Sequence, residues 1–155
     1  MKTEQSNIKR LIKTNTPQWP IHNQNNSAEE ATDHFMVREG VVFAGCHLII
    51  DLWGASSLDN LQLMENVLRD SVKEAGAHLL HIHLHHFTPT GGISGVAVLA
   101  ESHISVHTWP EKGYAAFDVF MCGDARPDKT INVMKEAFLP ESVKVTELMR
   151  GINNT

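Results

Sequence analysis

Two stretches with helical spacing, set among runs of strand-forming residues, predict an α+β fold. The expected form is a two-layer αβ sandwich, with a mainly antiparallel sheet and helices on one face. Three observations carry this reading. β-Branched and apolar runs recur from Val41 onward, only two segments show a helical stripe, and those helices separate groups of strands joined by short connections. The resulting order is βαββ followed by ββαβ.

The elements follow in chain order. Residues 1–39 form a polar extension rich in Asn, Gln and Thr, with Pro17 and Pro20 interrupting any period. Ile8, Leu11, Ile12 and Trp19 are its apolar residues, available to dock on the domain or on a neighbouring subunit. The domain proper occupies 40–155. Val41 to Leu52 is mostly apolar and β-branched, as expected of a largely buried strand. Ser56 or Ser57 can cap a helix whose buried stripe is Leu61, Met64, Leu68, Val72 and Ala75, and Gly76 supplies its stop. His78 to Phe87 returns as a strand, and Gly91-Gly92 makes a turn. Gly95 to Leu99, His103 to Thr108 and Tyr114 to Met121 are further strands. Pro127 opens a second helix with Ile131, Met134 and Phe138 inward. Pro140 follows its end, and Val143 and Val145 begin a last alternating strand.

Composition narrows the classes of function. With 155 residues, 42% of them hydrophobic, the chain can bury one compact core. A net charge of -5 and the lack of a Lys/Arg cluster argue against a nucleic-acid partner and suit a small cation better. Cys46 and Cys122 do not make a disulfide framework, and no apolar run reaches the length of a membrane span or signal core. The expected compartment is the cytoplasm, with no membrane partner.

The segment with most chemical content runs from Ala100-Glu101-Ser102-His103 through His107-Thr108-Trp109-Pro110-Glu111 and Gly113-Tyr114-Ala115-Ala116 to Cys122-Gly123. In order and spacing it resembles the processing region of the bacterial S-adenosylmethionine decarboxylases, pyruvoyl enzymes made as proenzymes. The resemblance spans roughly Val41 to Arg150 and leaves the extension uncovered.

That resemblance implies a chain that cuts itself between Glu101 and Ser102. The Ser102 hydroxyl attacks the preceding carbonyl and converts an amide into a more labile ester. Loss of the Ser102 Cα proton then eliminates the ester and leaves a pyruvoyl group derived from Ser102, the only cofactor expected. The implied activity is decarboxylation of S-adenosylmethionine, feeding spermidine synthesis. The implied assembly is a homodimer with active sites near its interface, which would help cover the second face of the sheet.

The resemblance also distributes roles. His107 is the base that removes the Ser102 Cα proton, Ser94 is a second processing hydroxyl, and Cys122 protonates the substrate α-carbon. A thiol with an ordinary pKa of roughly 8.5 can hold and surrender that proton. Phe87 is the ring that stacks on adenine, and Glu111 the acid that holds ribose hydroxyls. Ser102 and His107 are separated by an odd number of steps, so in one continuous strand they face opposite ways and a bend, bulge or strand end must intervene. His103 and Ser105 share the His107 parity, and geometry does not choose among them. Leu84 stands where a second ring is expected, beside a turn one residue longer than usual.

His81, His83 and His85 share one strand face, yet stand about 7 Å apart, wider than one tetrahedral ion wants. No metal is therefore expected. Two alternatives remain: a pyruvoyl-dependent ornithine or arginine decarboxylase on the same scaffold, and a non-enzymatic metal-binding or interaction module.

Overall fold

The computed structural model describes residues 35–152. The expectations for residues 1–34, including docking by Ile8, Leu11, Ile12 and Trp19, lie outside the described residues. The described chain folds as strands β1 (Met36–Arg38), β2 (Val41–Phe43) and β3 (Gly45–Trp53), helix α1 (Leu61–Glu74), and strands β4 (Leu79–His86), β5 (Ile93–Leu99) and β6 (Ser102–Trp109). A short 3-10 turn (Pro110–Lys112), strand β7 (Tyr114–Met121), helix α2 (Lys129–Phe138) and strand β8 (Ser142–Arg150) complete it.

A six-stranded sheet in the order β4-β5-β6-β7-β3-β8 is antiparallel at every pairing, and β1 and β2 form a separate hairpin. This is the expected α+β sandwich. Alternation along each strand sends one set of side chains to the helices, where Leu48, Ile50, Leu52, Ile104 and Phe117 meet Met64, Leu68, Met134 and Phe138 in one buried core. The other set, including Ile49, Trp53 and Trp109, stays solvent-exposed. Helices thus cover one face only.

Two local expectations change. The run Val41 to Leu52 is not one strand: it breaks at Ala44, whose N–H donates to Arg150 O (2.7 Å). Val41–Phe43 instead pairs back on Met36–Arg38, so the last residues of the polar segment are themselves strand. Arg38 carries that hairpin to Glu147 of β8, and Met36 and Phe43 enter the core. The cap of α1 is Asn60, whose side chain accepts from Leu63 N (2.9 Å), and neither Ser56 nor Ser57. Ser56 Oγ donates to Phe138 O, and Ser57 sits at φ 59°, so both are spent on the connection before the helix.

At its other end α1 stops as Gly76 predicts. Gly76 takes φ 68°, its N–H donates to Lys73 O, and the Ala77 N–H reaches back to Val72 O, satisfying two carbonyls the helix leaves open. This closure delivers the chain directly to His78 and β4. In α2, Thr130 is fully buried and donates to Pro127 O (2.7 Å), while Ile131 is half-buried at the margin of the stripe.

Candidate active site

The β5–β6 hairpin turns through only Ala100 and Glu101, since Leu99 pairs with Ser102. So tight a reversal places strain on the next residue, and Ser102 has φ 145°, a region in which side-chain-bearing residues are rare. The neighbouring strand β7 ends at Met121, opposite Ser102, which puts Cys122 beside the turn. Cys122 then grips the carbonyl that precedes Ser102: its backbone N–H donates to Glu101 O (3.1 Å), and its thiol donates to the same oxygen (3.0 Å).

Two donors on one carbonyl oxygen polarise its carbon and are aimed where negative charge would gather if a nucleophile added there. The candidate nucleophile is the adjacent Ser102 hydroxyl. Desolvation pushes the Cys122 thiol up and the Glu101 charge adds to it, against smaller opposing hydrogen bonds from its own backbone and Ser102. The thiol is thereby kept in its protonated form, the form a donor needs. Cys46, by contrast, is buried against Glu147, and burial followed by that charge pushes its thiol to about 12. Of the two cysteines only Cys122 is placed for chemistry.

The Glu101 side chain is also fixed. Its carboxylate accepts from the His78 backbone N–H (2.9 Å) and from His78 Nδ1–H (2.6 Å). Burial alone would raise this carboxyl; the His78 ring and backbone outweigh it and hold it below the ordinary value of 4.5. Sequence reasoning missed this contact, and parity offered no signal for it, because the register of β4 shifts between Leu79 and His81 and the alternation of His81, His83 and His85 does not carry back to His78.

The remaining predicted residues gather elsewhere. Ser94 Oγ lies 2.7 Å from His107 Nδ1 across the β5–β6 pair, on the uncovered face. Phe87 is exposed just beyond β4, its ring 4.5 Å from that of His85, and Glu111 is exposed in the 3-10 turn. Leu84 is on the helix side, packed on the core, so it is not a neighbour of this group.

Of the bend, bulge or strand end expected between Ser102 and His107, the structure shows the strand end: Ser102 is the first residue of β6. Strand β6 pairs without a register shift on both sides, and five residues at 3.3–3.4 Å each separate the two positions by about 17 Å. Within one chain the structure therefore brings Glu101, Ser102, Cys122 and His78 together at one end of the sheet. Ser94, His107, Phe87 and Glu111 lie toward the other.

The uncovered face also carries polar and aromatic groups, with Trp53, Tyr114 and Trp109 at the His107 end. His47 Nε2 and Asp118 Oδ1 lie 3.0 Å apart, and Tyr114 donates to Asp51 (2.7 Å). The Tyr114 ring is stacked on both Trp53 (4.3 Å) and Trp109 (5.2 Å). His81, His83 and His85 face the same way, opposite Val98, Val96 and Ser94. Among the described residues no group of three His, Cys, Asp or Glu is arranged to hold a metal ion.

The family model described as S-adenosylmethionine decarboxylase matches residues 46–151. The chain belongs to that family. Among its relatives, the S-adenosylmethionine decarboxylase proenzyme of Thermomicrobium roseum is 44% identical over 109 residues, covering 70% of this chain and 94% of the relative. A proenzyme of the same description from Methanococcus maripaludis strain S2 is 48% identical over 111 residues, covering 70% of this chain and 90% of the relative. The crystal structure of the adenosylmethionine decarboxylase of Aquifex aeolicus VF5 superposes with a TM-score of 0.64 at 33% identity, over 72% of this chain and 94% of that one. The matched family segment contains β3 to β8 and both ends of the candidate site, while the β1–β2 hairpin precedes it.

Proposed function

We propose that this chain is a proenzyme that cuts itself between Glu101 and Ser102 and becomes a pyruvoyl-dependent decarboxylase of S-adenosylmethionine. The observation that carries the proposal is the Glu101 carbonyl, held by two Cys122 donors beside a strained Ser102. Family membership supplies the reaction class. A tight turn, a polarised carbonyl and an adjacent hydroxyl fit the formation of a carbonyl cofactor at position 102.

Cleavage draws on these residues in sequence. The Ser102 Oγ adds to the Glu101 carbonyl carbon, the carbon–nitrogen bond breaks, and the hydroxyl proton passes to the Ser102 nitrogen. The Cys122 N–H and thiol hold the oxygen on which charge accumulates. Removal of the Ser102 Cα proton expels Glu101 as a carboxylate, and water replaces the resulting imino nitrogen, which leaves as ammonia. Once formed, the pyruvoyl group supplies an electron-withdrawing carbonyl that takes up the electron pair left when carbon dioxide departs. The Cys122 thiol then has a proton to deliver to the substrate α-carbon.

His107 is the base for the Cα proton, its ring oriented by Ser94. Because about 17 Å separates it from Ser102 in one chain, it acts from a second copy. A two-fold homodimer with opposed uncovered faces would bring Ser94 and His107 of one copy to the Glu101–Ser102 turn of the other. It would bury the exposed belt of Trp53, Trp109 and Ile49 at the same time. Phe87 and Glu111 travel with His107 and serve as the adenine-stacking ring and the ribose-binding acid. Glu111, Asp51 and Asp118 also place negative charge on the side where a sulfonium cation enters.

No described helix is long and apolar enough to cross a membrane, and both cysteines are free. The cytoplasm is the proposed compartment, and the decarboxylated product the aminopropyl donor for spermidine synthesis. Intact mass spectrometry and carbon dioxide release test the whole reading together. The expected result is two fragments meeting at 101/102, the second blocked at its amino end, with turnover of S-adenosylmethionine. An uncut chain refutes the proenzyme mechanism, and release from ornithine or arginine alone refutes the substrate. Equal mixtures of Ser102→Ala and His107→Ala subunits test the dimer, because only a shared site cuts the His107→Ala chains.

A further inference from the structure

His78 meets the Ala100-Glu101 turn at three points. Its carbonyl accepts from Ala100 N (3.0 Å), its N–H donates to Glu101 Oε2 (2.9 Å), and its ring Nδ1–H donates to Glu101 Oε1 (2.6 Å). The backbone of His78 is itself set by the closure of α1 at Gly76 and Ala77. One residue therefore connects the end of a helix to both residues of the turn that carries the Glu101 carbonyl.

We infer that His78 is a positioning residue for self-cleavage, acting through the Glu101 carboxylate to keep the Glu101 carbonyl turned toward Cys122 and its carbon open to Ser102 Oγ. The inference rests on the proenzyme reading above. The physical reason lies in the position of Glu101. It stands outside the residues paired between β5 and β6, and a swing of its peptide would withdraw the oxygen from the Cys122 N–H and thiol together. Anchoring the side chain removes that freedom before the reaction begins, so the alignment is not assembled at the moment of attack. The ring is largely exposed while the Glu101 side chain is 16% exposed, so the contact contributes more to alignment than to stability. After the cut the same contact holds the new carboxyl end of the first fragment beside Cys122.

The test uses the full chain made by cell-free translation, with the uncut form followed on a denaturing gel. His78→Ala, which keeps the backbone contacts and loses the ring, is expected to slow cleavage about tenfold. His78→Asn, whose amide nitrogen can occupy the place of Nδ1, is expected to restore the rate to about half of wild type or better. If the ring acts through the carboxylate, Glu101→Ala is slow by itself and adding His78→Ala slows it no further. Thermal unfolding of His78→Ala in the uncut Ser102→Ala background should match Ser102→Ala alone, excluding a folding defect. Cleavage of His78→Ala at the wild-type rate overturns the assignment, as does a full additional slowing on top of Glu101→Ala. A wild-type chain that never cuts removes the reading beneath it, a result distinct from both.

Discussion

Ser102→Gly and Ser102→Ala each lack the hydroxyl, so both remain uncut and their stabilities can be compared without interference from processing. Only the glycine relieves the backbone. A residue held in a sparsely populated region of φ and ψ costs about 1–3 kcal/mol, and Ser102 at φ 145° is such a residue. Glycine gives back about 0.5–1 kcal/mol through the greater freedom of its unfolded chain. The net expectation is that Ser102→Gly exceeds Ser102→Ala by about 0–2.5 kcal/mol, whereas at a relaxed position the alanine variant would lead by about 0.5–1 kcal/mol. For a domain of this size the gain is up to roughly 10 °C in midpoint. Urea unfolding at neutral pH followed by circular dichroism, with equal slopes for the two variants, reads the difference directly. An alanine variant more stable by about 0.5–1 kcal/mol, the cost of glycine alone, would show that position 102 is relaxed and that no backbone strain is available to favour cleavage.

Three further outcomes follow from the same geometry. Cys122→Ala removes one of the two donors to the Glu101 carbonyl, and a thiol is the weaker of them, so cleavage in cell-free translation should slow about tenfold while Cys122→Ser recovers most of it. Burial, then the nearby His47 charge, lowers His103 from its ordinary value of 6.5. Below 6.5 the unfolded chain takes up a proton that the folded chain resists, so acidification through that value toward the folded one should cost stability. His103→Gln should flatten that part of a pH series of urea midpoints. Gly95→Ala would put a Cβ 2.4 Å from both His83 O and Leu84 Cδ2, and should lower stability by about 1–3 kcal/mol in the same unfolding assay.

Local pattern made much of this fold legible. The stripe Met64, Leu68 and Val72 and the stop at Gly76 are visible in the sequence because helix burial and helix termination depend on residues a turn apart. Strands β4 to β7 announce themselves by alternation for the same reason. The break at Ala44 did not, because Val41 to Leu52 is mostly apolar on both sides of it. What divides it is pairing with Met36–Arg38 on one side and with β7 and β8 on the other. Nor was the place of β3 between β7 and β8 legible, since nothing in its residues encodes which neighbours it takes. The Asn60 cap was missed because Ser56 is drawn to Phe138 O, 82 positions away.

The candidate site divides along the same line. The Glu101–Ser102 junction and Cys122 could be picked out by family resemblance, but the donation of Cys122 to the Glu101 carbonyl joins residues 21 apart through strand register. His78 and Glu101 are likewise joined over 23 positions. The parity mismatch between Ser102 and His107 was visible, and of the resolutions it allowed the structure takes the strand end, since Ser102 opens β6 at φ 145°. No register shift interrupts the pairing between the two residues, and the separation of about 17 Å is one that a single subunit does not close.

Cut as proposed, the chain would take an unusual architecture from its strand order. Parting the chain at 101/102 assigns β3, β4 and β5 to one polypeptide and β6, β7 and β8 to the other. Across the sheet they then alternate in blocks: β4-β5, next β6-β7, next β3, and finally β8. Neither piece owns a contiguous half, so β3 is flanked on both sides by strands of the other polypeptide. The two proposed fragments would be interwoven, and nothing short of global unfolding would let them go their separate ways.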